Sequence, residues 1–126
     1  MFSLIFSLAF ASTPNSDFNS ALQKPLKQRL MHFENREHDL LRLVNNKKAN
    51  FKARWMAYST LVELEPSRKN IKLGLNSYEW FMKDLGLKLA MKHQPQLARI
   101  GARKHIFDSS LIVRTTAVKV LNALKD

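Results

Sequence analysis

An all-α array of stacked helical hairpins is the fold this sequence predicts, and three observations predict it. Gly is limited to three residues and Pro to four in 126, too few turn residues for a fold of many short strands. Three long segments carry helical rather than strand periodicity. Those segments also align with one another at a near-constant spacing of about thirty residues, the mark of an α-solenoid built from repeated supersecondary units.

The aligned segments are FKARWMAYSTLVELEP (51–66), WFMKDLGLKLAMKHQP (80–95) and LIVRTTAVKVLNALKD (111–126). Each has a cation, then a small residue, then a small or apolar one, at fixed offsets. In order these are Arg54, Ala57, Leu61; Lys83, Gly86, Ala90; and Arg114, Ala117, Leu121. In the last segment Val113, Ala117, Val120, Leu121 and Leu124 form an apolar stripe. Thr115, Lys119, Asn122 and Asp126 form the polar stripe opposite, the pattern of an amphipathic helix. Trp55 and Asp84 align with Thr115 and are placed on that polar stripe, whereas Trp80 aligns with Phe51 and Leu111 and is expected to pack.

Shorter helices fill the intervals. Asp17–Lys24 and Pro25–Asn35 form a degenerate pair, suited to an N-terminal cap. Glu37–Asn46 partners the first aligned helix, Ser67–Leu75 the second and Gln96–Phe107 the third. Pro66 and Pro95 suit the first turns of their helices, where a missing N–H is harmless. Ser77 and either Asp108 or Ser109 are expected to cap the helices that follow. The boundaries expected are therefore 1–11 for a signal segment, 12–36 for cap helices, and 37–66, 67–95 and 96–126 for three repeats.

The N-terminal run MFSLIFSLAFA is apolar and uncharged, with Ala9-Phe10-Ala11 supplying a small-x-small cleavage pattern before a polar stretch. It predicts export to the periplasm or cell envelope. The alternative is a retained helix packed on the repeats in a cytoplasmic protein. Eleven residues do not span a bilayer as a helix.

Within FDSSLIVRTTAVKVLNAL the chain resembles the HEAT repeat, particularly bacterial HEAT-like repeats. The resemblance rests on Asp108 in the turn and Arg114 six positions later, with Pro66 and Pro95 near the starts of first helices. It covers residues 37–126 and implies a short right-handed α-solenoid of about three hairpins. It also implies that Asp108 and Arg114 belong to a structural ladder between repeats. Ser77 and Lys48 stand at the Asp position of the other repeats and Lys83 replaces Arg, so the implied ladder is confined to the last repeat. The family's second helices line the concave face, where Ser59, Lys88 and Lys119 occupy equivalent positions.

The net charge of +11 lies entirely beyond residue 39, and Leu85–Lys125 holds eight cations against the single acid Asp108. Such a surface suits an acidic protein, nucleic acid or anionic lipid, or is simply solvated. Cysteine is absent, which excludes thiolate catalysis and Cys-bound metal. No phosphate-cradling Gly loop or nucleophile–base pattern is present. His32 and His38 in HFENREHD are six apart, the wrong spacing for two ligands on one helix face, and His93 and His105 read as helix-end cations.

The expected function is therefore a non-catalytic scaffold without cofactor or metal, contacting a protein partner through Trp55, Lys88 and Lys119. The alternative is a basic nucleic-acid-binding module, because some HEAT-like proteins are DNA glycosylases that stack aromatics on DNA. Contact with an anionic membrane surface comes third. Arg99, Arg103 and Lys104 form a second basic group. Leu111, Ile112 and Val118 should lie uncovered on the last helix, predicting a partner or self-association at that end, or a chain shortened relative to its relatives.

Overall fold

A computed structural model describes residues 16–125, so the expected signal segment and Asp126 lie outside the described residues. The described chain is all-helical, with eight α-helices and no strand among those residues. They are α1 (Ser16–Leu22), α2 (Leu26–His32), α3 (Glu37–Val44), α4 (Phe51–Leu64), α5 (Arg68–Leu75), α6 (Trp80–His93), α7 (Pro95–His105) and α8 (Leu111–Ala123). The three aligned segments are the three longest helices. None of the described helices is long and apolar enough to cross a membrane.

Helix starts follow local chemistry. Asn50 Oδ1 accepts from Lys52 N and Ala53 N at the head of α4, at 2.8 and 3.3 Å. Ser67 Oγ accepts from Asn70 N at the head of α5, and Ser110 Oγ from Val113 N at the head of α8. Each satisfies an N–H that the first helical turn cannot. Pro95 occupies the first turn of α7 as expected, but Pro66 stands one residue before the Ser67 cap. Ser77 and Asp108 do not cap. Ser77 Oγ accepts from Glu79 N and Asp108 Oδ1 from Ser110 N, each closing a turn two residues on, so α6 and α8 begin later than those side chains suggest.

The chain divides into two compact units at Leu64–Glu65. In the N-terminal unit α4 packs on α3 and also meets α1 and α2. Its long helix buries Ala53, Ala57, Tyr58, Leu61 and Val62, while Leu22, Phe33, Leu40 and Val44 are buried from the shorter helices. Arg29 is buried too. Its Nε donates to Thr60 Oγ1 and its Nη1 to the Lys24 carbonyl, both at 3.0 Å. Burial lowers its pKa below the ordinary arginine value, and Glu63 opposes that shift.

In the C-terminal unit α6 is the central helix, packed on α5, α7 and α8. Leu85, Leu87, Leu89 and Ala90 are buried around it, so little of its circumference is polar. Gly86 sits where α6 crosses α5. A Cβ there would stand 2.9 Å from Leu75 N and 3.0 Å from the Gly74 carbonyl carbon. Only glycine permits that backbone approach.

Candidate functional site

The repeated cation is spent on structure in all three long helices. Arg54, buried, donates from Nε to the Val44 carbonyl at the end of α3, at 3.1 Å. Lys83 Nζ lies 2.7 Å from Asp108 Oδ2 in the α7–α8 turn. Arg114 Nη1 donates to the main-chain carbonyl of that same Asp108 at 2.7 Å. The carboxylate of Asp108 thus binds the lysine of the preceding hairpin, while its carbonyl binds the arginine of its own.

His105 completes this cluster. It is buried, with Nε2 2.8 Å from the Leu75 carbonyl and Nδ1 3.4 Å from Asp108 Oδ2. Since a carbonyl only accepts, Nε2 is the donor. The ring ties the end of α5 to the α7–α8 turn, a role the helix-end reading of His105 did not anticipate. Nε2 is turned to the Leu75 carbonyl, and Nδ1 faces the Asp108 carboxylate. Burial pushes the Asp108 carboxyl upward, but the Lys83 and Ser110 hydrogen bonds, with the charges of Lys83 and His105, hold it below its ordinary value.

The HFENREHD segment is likewise built around packing. Arg36 donates from Nε to Asp39 Oδ2 and from Nη1 to His32 Nε2, both at 3.1 Å. Its guanidinium lies over Phe18 and Phe33, 5.8 and 5.4 Å from the ring centres. Among the described residues no group of three His, Asp or Glu side chains could hold a metal ion.

An open groove of about 530 Å³ runs between α6 and α8. Lys88 and Met91 contribute from α6, and Ile112, Thr115, Lys119 and Val120 from α8. Two of the three expected contact residues, Lys88 and Lys119, are therefore brought to one groove. Trp55 belongs to α4 in the N-terminal unit, where it is 37% exposed. Ser59, at the equivalent position of α4, is half-buried. Arg103 and Lys104 are exposed on α7, and Arg99 donates to Gln96 Oε1 at 2.9 Å.

Two residues depart from their expected places. Asp84, placed on the polar stripe by alignment, is buried. It accepts a hydrogen bond from Thr116 Oγ1 on α8, and its other oxygen lies 2.9 Å from Lys88 Nζ. The stripe is polar on α8 but turns inward on α6, because α6 has neighbours on three sides. The i, i+4 spacing of Asp84 and Lys88 signalled their pairing but not the burial of Asp84. Trp80, expected to pack, is 45% exposed and meets Phe81 edge-on, and its aligned counterparts Phe51 and Leu111 are 54% and 67% exposed. All three are first residues of their helices, and Leu111 was itself expected to lie uncovered. That expectation carried to Trp80 would have placed it correctly.

No protein-family model matches the chain, and no curated protein or solved structure matches it either.

Proposed function

We propose that this chain is a non-catalytic scaffold of HEAT-like hairpins that binds a protein partner through the surface of its second helices. On this reading the hairpins form a short right-handed α-solenoid. The side-by-side packing of α6 and α8 and the Lys83–Asp108 bond between successive hairpins support it. One observation carries the binding assignment. Leu111 and Ile112 are 67% and 49% exposed at a groove edged by Lys88 and Lys119. An uncovered apolar strip with charged margins has the make-up of a protein contact surface.

A photo-crosslinking amino acid placed at Lys119, and separately at Trp55, tests this in the cells that make the protein. Adducts that protease removes and nuclease does not are expected from position 119. Nuclease-sensitive adducts would instead favour the nucleic-acid reading that the +11 charge supports. Absence of any protein adduct at both positions overturns the scaffold assignment.

A further inference from the structure

We infer that the α6–α8 groove receives an amphipathic helix whose apolar face is bordered by carboxylates; this rests on the scaffold reading above and names the partner's chemistry. The groove follows α8 from Leu111 to Ala123, a rise of about 18 Å, or just over three helical turns. Its walls are two helices side by side, with side chains projecting at helical spacing. Such a trough takes the i, i+3/i+4, i+7 anchors of a third helix. The described residues offer no sheet edge to which an extended peptide could add.

Charge selects the sign of the partner. The lining holds two lysines and no acid. Lys88 is already paired with Asp84, whereas Lys119 makes no ion pair among the described residues. Lys119 thus supplies the uncompensated charge, and a carboxylate on the incoming helix answers it. A second copy of this chain docked groove to groove would set lysine against lysine. Nucleic acid is a poor match for the floor. Leu111, Ile112 and Val120 give aliphatic surface, with no aromatic ring for base stacking and no arginine fork for phosphate among the lining residues.

The test uses the full chain and two designed peptides of about four helical turns. Both carry the same leucine face; one has flanking Glu, its twin flanking Lys. Fluorescence anisotropy measures affinity and amide chemical shifts locate the contact. The Glu peptide is expected to shift Ile112, Thr115 and Lys119. Ile112→Asp and Lys119→Glu, both at exposed positions, should each weaken it about tenfold, and the Lys twin should regain binding to Lys119→Glu. Lys104→Glu, on α7, should change little. Equal binding of the two peptides, affinity unmoved by Lys119→Glu, or shifts confined to other surfaces would overturn the inference. So would groove shifts produced by duplex DNA or phosphatidylglycerol vesicles but not by the Glu peptide. If peptides fail while position 119 still crosslinks to protein, only the acidic-helix assignment falls; if neither position 119 nor position 55 crosslinks to protein, the scaffold reading falls with it.

Discussion

Asp108 gathers contacts from Lys83, His105, Ser110 and Arg114, and its side chain is only 7% exposed beside a Lys83 side chain that is 15% exposed. A carboxyl held below its unfolded pKa binds fewer protons in the folded chain over the intervening pH range. Its stabilisation is therefore fully present above the unfolded value of 3.8 and is lost as pH falls through the lower folded value. Urea midpoints measured from about pH 5 down to about pH 2 should drop along this limb. Asp108→Asn should cost about 2–3 kcal/mol at neutral pH, by removing the counter-charge of Lys83 and replacing one of the two acceptor oxygens with a donor amide, and should flatten the acid limb. A wild-type-like slope in that variant would assign acid sensitivity to another carboxyl. Two glycines make a second contrast. At Gly86 an added methyl meets backbone atoms of Gly74 and Leu75, which cannot swing aside. The overpacking cost of about 1–3 kcal/mol then exceeds the roughly 1 kcal/mol gained in helix propensity. At Gly101 the nearest atoms are the δ-methyls of Leu75, 3.0 and 3.3 Å away, and a leucine tip can rotate. Thermal melts should show Gly86→Ala lowering Tm by several degrees and Gly101→Ala leaving it nearly unchanged.

Element boundaries were legible because apolar spacing and breakers are local properties. The expected helices at 80–95 and 111–126 end at His93 and Ala123, and that at 51–66 ends at Leu64. Caps were less legible, since Ser, Asp and Asn serve equally in turns and at helix heads. Which oxygen reaches which N–H depends on the backbone path into the helix. Ser110 rather than Asp108 or Ser109 heads α8, and Asn50 heads α4. Ser67→Ala should therefore cost about 1 kcal/mol, whereas Ser77→Ala should cost less, because Ser77 closes a turn ahead of α6 rather than capping it. Paired urea titrations decide this. An equal loss in both variants would place the N-terminal capping of α6 on Ser77 after all.

On the scale of the whole molecule, the +11 charge lies beyond residue 39 and an uncharged apolar run opens the chain. We propose cleavage after Ala11, on the Ala9-Phe10-Ala11 pattern. N-terminal sequencing of protein isolated from its native cell should then begin at Ser12; a sequence beginning at Met1 would favour a retained segment. The helical class, the number of long helices, the thirty-residue period and the gathering of basic charge beyond residue 39 were all set by composition and periodicity, which need only neighbouring residues to be read. Lys88 and Lys119 were singled out from equivalent register positions, yet their sharing of one groove with Ile112 and Val120 required α6 to lie against α8. The burial of Asp84 under Thr116 depended on the same packing, and that of His105 on α7 reaching the Leu75 carbonyl at the end of α5. The Asp84–Thr116 and His105–Leu75 contacts join residues thirty or more positions apart. A sequence records which side chains are polar, but the acceptor that makes a polar side chain tolerable inside the protein belongs to another hairpin, and only the packed chain decides which one arrives.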